Sequence, residues 1–131
     1  MNFRVIAVLA AGVAAWGSAL AETQSYEASF APLPKSERQY SKLGPVGPFY
    51  PEPAFRAGRS GEATLECKAG GSGVLERCKV MSEAPTGFHF GDAARIMADR
   101  KRIHAAGSPP SGETILVRVP FVLGAPVDVE P

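Results

Sequence analysis

Two cysteines placed symmetrically about a run of glycines constrain this chain more than any other feature. Cys67 and Cys78 flank Gly70-Gly71-Ser72-Gly73, and each lies equally far from the centre of the Ser72–Gly73 pair. Glycine reaches the positive φ that tight hairpin turns require without steric cost. The flanking segments read as strands. Glu62 to Ala69 puts Ala63, Leu65 and Cys67 on one face, and Val74 to Met81 is the return strand. Two such runs about a glycine turn predict a β-hairpin. A two-residue loop would set the cysteines directly opposite, with β-carbons about 4.5–5.5 Å apart, near disulfide range. In that register they form a hydrogen-bonded pair, the harder geometry for a cross-strand bridge. The parity change between Leu75 and Cys78 or Val80 points to a bulge that shifts the register. Two other readings stand beside the Cys67–Cys78 disulfide: buried free thiols, and a redox-active pair. Ten intervening residues do not give the C-x-x-C spacing of the latter.

Around the hairpin the sequence predicts two helices and one more strand. Pro51 and Pro53 suit a first helical turn, where a missing N–H costs nothing. Ala54, Phe55 and Ala57 continue that helix, and Gly58 and Gly61 end it. Ser82 to Phe90 reads as a loop, broken by Pro85 and Gly87. Gly91 or Asp92 then caps a second helix, with Ala93, Ala94, Ile96 and Met97 on its apolar face, running to about Arg102. A loop from Ala105 to Gly112 leads to Thr114–Leu123. There Ile115, Val117, Val119, Phe121 and Leu123 alternate with Leu116, Arg118, Pro120 and Val122, the pattern of a half-buried strand. Pro120 cannot donate to a ladder, so this strand is expected at a sheet edge. The order helix, strand, strand, helix, strand predicts a small α+β domain: a three-stranded antiparallel sheet with two helices on one face. The domain is expected over residues 45–124. Residues 22–44, interrupted by Pro32 and Pro34, read as a flexible lead-in, and 125–131 as a tail.

The first 21 residues read as a secretory signal peptide. Arg4 is followed by an apolar run, and Ala19-Leu20-Ala21 offers a small-x-small cleavage site before Glu22. The apolar run, about 16 residues, is shorter than the roughly 20 needed to span a bilayer. Export to the periplasm is the expectation, and an uncleaved inner-membrane anchor the alternative. Removing 21 of the 131 residues leaves 110, enough for one domain. Arg4 leaves with the peptide, so the 14 basic residues fall to 13 and match the 13 acidic ones. A neutral chain carries no electrostatic footprint for nucleic acid, or for a membrane surface if the leader is cleaved. The Arg100-Lys101-Arg102 run reads as a solvated helix end. In an oxidising compartment an even cysteine count favours the disulfide.

Several short motifs together resemble the C-terminal domain of TonB-like energy transducers. Phe49-Tyr50-Pro51, Ala54, Ala57, Gly58 and Gly61 are similar to that domain's opening pattern. Gly73-Val74-Leu75 is similar to the segment after its hairpin turn, and Val80, Ser82 and Pro85 to the one that follows. Phe90, Ala93 and Ala94 resemble the start of its second helix, and Val117-Arg118-Val119-Pro120-Phe121-Val122-Leu123 its closing strand. The resemblance covers about residues 45–124. It implies a last strand that pairs with an extended segment of an outer-membrane receptor, a mode in which main-chain hydrogen bonds supply much of the affinity. The partner-binding edge would then be Ile115, Leu116, Val117, Arg118, Val119, Phe121 and Val122. Energy coupling in that family uses a transmembrane helix bearing a histidine, and Met1 to Ala21 contains none. The expectation is a short periplasmic relative that keeps the domain without the motor connection.

Little in the sequence points to catalysis. His89 and His104 are the only histidines, each in or beside a predicted loop, and no local motif pairs either with a serine nucleophile. Two cysteines and two histidines could hold a tetrahedral metal only as reduced thiols. Gly70, Gly71 and Gly73 open no helix and so are not a phosphate loop. The expectation is a protein-interaction module with no catalytic residue, cofactor or metal. Its partner would be a receptor peptide, another envelope protein or a second copy. The alternatives are a self-associating envelope structural protein and a thiol-dependent redox or metal protein.

Overall fold

The computed structural model describes residues 22–131, so the signal-peptide reading of residues 1–21 lies outside the described residues. The chain is an α+β domain built on five strands, not three. They are β1 (Ser25–Phe30), β2 (Gly61–Ala69), β3 (Leu75–Ala84), β4 (Ile103–Ala105) and β5 (Thr114–Phe121), in the sheet order β3-β2-β5-β1-β4. Among the described residues the helical elements are α1 (Glu52–Arg56) and α2 (Phe90–Asp99), with 3-10 turns at Lys35–Leu43, Gly47–Phe49 and Gly71–Gly73.

The hairpin forms about the predicted glycine turn, but its return strand runs on to Ala84, three residues into the segment read as a loop, and it carries two bulges. Glu66 pairs with Lys79 but Lys68 with Glu76, so Arg77 and Cys78 together face Cys67. Arg77 takes φ 51°, a left-handed conformation that a bulge position accommodates. A second shift leaves Met81 unpaired between the Leu65–Val80 and Thr64–Ser82 pairs. At the tip Ser72 and Gly73 have φ 58° and 79°. A β-carbon on Gly73 would lie 2.6 Å from the Ala105 carbonyl oxygen, so the sheet curls until the hairpin tip meets β4.

One face of the sheet is buried and the other open. Ala63, Leu65, Cys67 and Ala69 of β2 and Ile115, Val117, Val119 and Phe121 of β5 point inward, where Phe90, Ala94, Met97 and Ala98 of α2 meet them. Tyr50 and Ala54, from the α1 region, join the same core. Alternation puts Glu62, Thr64, Glu66 and Lys68 of β2 and Arg118 of β5 on the open face. There Arg118 meets both Glu27 and Glu62 at 3.4 Å, and Lys79 meets Glu66 at 3.3 Å.

Three expectations are corrected. First, residues 22–44 are not a featureless lead-in. They contribute β1 and the 3-10 turn, and the prolines that suggested irregularity follow the strand rather than interrupt it. Leu33 between them is fully buried and bridges in parallel to Val129, which also ties down the 125–131 tail. Second, β5 is not an edge strand. It runs antiparallel to β2 along its whole length and parallel to β1 through Ser25–Leu116, Tyr26–Val117 and Glu27–Arg118. Leu116 donates its N–H to the Gln24 carbonyl, so even-numbered residues of β5 aim their main chain at β1. Pro120, lacking an N–H, falls on that side just past the last β1 pair. The proline rule thus holds for one residue's hydrogen bond and not for the whole strand. Third, the second helix ends at Asp99 rather than about Arg102, and Ile103–Ala105 forms β4, a strand the sequence did not predict, which takes in the first residue of the expected 105–112 loop.

Arg102 is likewise not a solvated helix end. Its guanidinium makes a bidentate pair with Glu37, at 2.6 and 3.2 Å, with the two side chains 17% and 22% exposed. It also lies over the Phe49 ring, 4.9 Å from the centroid. This fork pins the 35–43 turn to the C-terminal end of α2. Charge-assisted bidentate pairs are the strong hydrogen bonds of proteins, and lysine cannot reproduce the fork. Arg102→Ala is expected to lower stability by about 1.5–3 kcal/mol in urea unfolding, with Arg102→Lys recovering only part of the loss.

Candidate functional site

The structure joins Cys67 to Cys78 in a disulfide, with α-carbons 4.1 Å apart. The bulge solves the register problem. Ala69 and residues 112–113 exchange main-chain bonds across β2–β5, whereas Gly70 donates to the Val74 carbonyl. Period two then turns the odd residues of β2 toward β5 and the even ones toward β3. Cys67 therefore faces β3 at a non-hydrogen-bonded site, where side chains approach most closely. Cys67 is buried and Cys78 half-buried.

The predicted partner edge is dispersed by its own packing. Ile115, Val117, Val119 and Phe121 are fully buried. Leu116 and Arg118 face the open side, under the flank that β1 covers, and Val122 is exposed beyond the strand's end. The long edge that remains free is β3. It is hydrogen-bonded to β2 alone. Since Thr64, Glu66 and Lys68 of β2 aim at Ser82, Lys79 and Glu76, the main chain of Val80 and Glu83 points away from the sheet. Val80 and Met81 are 37% and 50% exposed in the middle of that edge.

Glu83 fixes how β3 meets α2. Its carboxylate accepts from the Gly87 N–H at 3.0 Å and the Gly91 N–H at 2.9 Å. Through Gly91 it satisfies one of the donors that the α2 N-terminus leaves free, through Gly87 it ties down the preceding loop, and it places negative charge at the positive end of the helix dipole. Glycine at 91 lets the helix start approach β3 closely, since a β-carbon would lie 2.5 Å from a Val80 methyl unless that side chain moved. The sequence reading placed a cap at Gly91 or Asp92 and missed Glu83, whose partner lies eight residues on in a different element.

Two surface depressions adjoin this framework. One, about 530 Å³, is lined by Tyr40, Leu43, Pro48, Tyr50 and Phe55. Tyr50 donates its hydroxyl to the Arg59 carbonyl, and burial raises its pKa above the usual 10, opposed by a hydrogen bond with Ser60. The other, about 480 Å³, lies beside β4 and brings His104 near Ser29, Ser72 and Ser108. Among the described residues no hydrogen bond joins His104 to any of these serines. His89 is exposed at the start of α2, 3.6 Å from Asp92. Among the described residues no three metal-ligating side chains converge, and no helix is long and apolar enough to cross a membrane. Comparison with models of known protein families and with curated proteins finds no match to this chain.

Proposed function

We propose that this chain is an exported protein-interaction module, a short periplasmic relative of the TonB C-terminal domain, that takes an extended partner segment as an added strand along β3. The observation carrying this reading is the free outer flank of β3, with Val80 and Met81 exposed at its centre. A partner strand laid there would pair with the outward main chain of Val80 and Glu83, and side-chain complementarity would supply the selectivity. Glu76, Arg77, Lys79 and Glu83, with the bulges at Arg77 and Met81, discourage indiscriminate pairing. They favour a partner built to match them. The run α1, hairpin, α2, β5, with Phe49-Tyr50-Pro51 before it and Val117–Leu123 closing it, supports the kinship, and the kinship suggests an outer-membrane receptor segment as partner. The binding edge is moved from β5 to β3, because β1 flanks β5.

Photo-crosslinking in the cell envelope tests this. A photoreactive residue at Met81 is expected to label a different envelope protein, and one at Arg118 to label nothing other than a second copy of this chain. Labelling of a different protein from Arg118 with none from Met81 would overturn the assignment to β3.

A further inference from the structure

We infer that β1 is an exchangeable arm, and that its slot beside β5 accepts the same strand from a second copy of this chain. The inference is independent of the β3 edge. Among the described residues β1 is the one strand of the sheet without a buried residue: its side chains alternate between exposed and half-buried along its whole length. It is held by three residue pairs to β5 and three to β4. The flanking main-chain bonds are Leu116 N–H to the Gln24 carbonyl, Ala106 N–H to the Glu27 carbonyl and Ala31 N–H to the Arg102 carbonyl, each 2.9 Å. One exposed ion pair, Glu27 to Arg118, adds little.

The chain after the arm is firmly anchored. Leu33 is fully buried, hydrogen-bonds to Asp128 and Glu130 through its main chain, and fills the space that a side chain on Gly47 would need. Ala31 and Pro32 therefore form a short joint between a weakly held strand and a fixed post. Residues 22–31, once released, reach roughly 35 Å. The slot they leave is matched in main-chain register, in half-buried pockets for Tyr26 and Phe30 and in the charge of Arg118 to this sequence, so a second copy supplies every contact again. The tether gives the chain's own arm an effective concentration in the millimolar range, so the closed monomer prevails in dilute solution. Shortening the joint removes that advantage.

The test mixes two single variants, Glu27→Cys and Arg118→Cys, whose positions are register partners, and treats them with a short bis-maleimide. The native cysteines are consumed in their disulfide. Inter-chain product is expected to increase as protein is raised from about 10 μM to about 1 mM. With Ala31 and Pro32 deleted from both chains it should dominate at the low end of that range. An absence of inter-chain product from the full-length pair at about 1 mM overturns the inference, whatever the deletion pair does. So does an equal yield when Met81→Cys, remote from the slot, replaces Arg118→Cys.

Discussion

Phe90→Ala is expected to lower the unfolding free energy by about 3–5 kcal/mol, a large share of the roughly 5–15 kcal/mol that a domain of this size possesses. The ring is fully buried at the start of α2. It lies 5.1 Å from the Phe121 ring and 6.1 Å, edge-on, from Tyr50, so it joins β5, the α1 region and α2 at one point. Gly61 is open to it for a steric reason: a β-carbon there would collide with the Phe90 ring and with the Ala84 carbonyl. Alanine at position 90 would thus leave a cavity walled by the rings of Tyr50, Phe88 and Phe121 and by the β2 backbone at Gly61. Three elements would have to shift together to fill it. Urea unfolding should show the midpoint falling with little change in slope. Phe55→Ala is the matched control. Its ring is 45% exposed, and its removal should cost less than about 1 kcal/mol. Equal losses from the two variants would mean that the Phe90 cluster is not the keystone described here.

What the sequence made legible was local. The hairpin announced itself through glycine at the turn, alternation on either side and a parity change that marked the bulge at Arg77. α2 showed its apolar face, and β5 its strict alternation. What stayed hidden was decided by residues far apart. β1 is a six-residue segment, and only its pairing with β5, some ninety positions on, makes it a strand. β4 has three residues, too few to show a period. Pro120 was read for the whole strand when it governs one hydrogen-bonding position on one flank. Arg102 looked like the end of a solvated basic run because Glu37, the partner that half-buries it, comes from the segment taken as a lead-in. The candidate edge moved for the same reason: once residues 25–30 form a strand, β5 gains a second neighbour and β3 is left as the long open flank.

Cys67→Ala/Cys78→Ala is expected to cost about 3 kcal/mol, chiefly by freeing the unfolded chain between two residues that lie eleven apart. For a domain of this size that corresponds to a fall in Tm of roughly 10–20 °C. The bridge also acts where the β2–β3 ladder is weakest. Arg77 holds a left-handed φ and Met81 is unpaired, so the bridged pair lies between two interruptions of the ladder. Without the bridge, the stretch from Arg77 to Met81 should fray first, and amide hydrogen exchange there should accelerate more than in β5, whose neighbours on both sides are unchanged. Wild-type protein unfolded in excess thiol reductant should match the double variant in Tm. A reductant that leaves the wild-type Tm in place, while the thiols are shown by alkylation to be free, would mean that packing of the inward-facing cysteines holds the hairpin register without help from the covalent link.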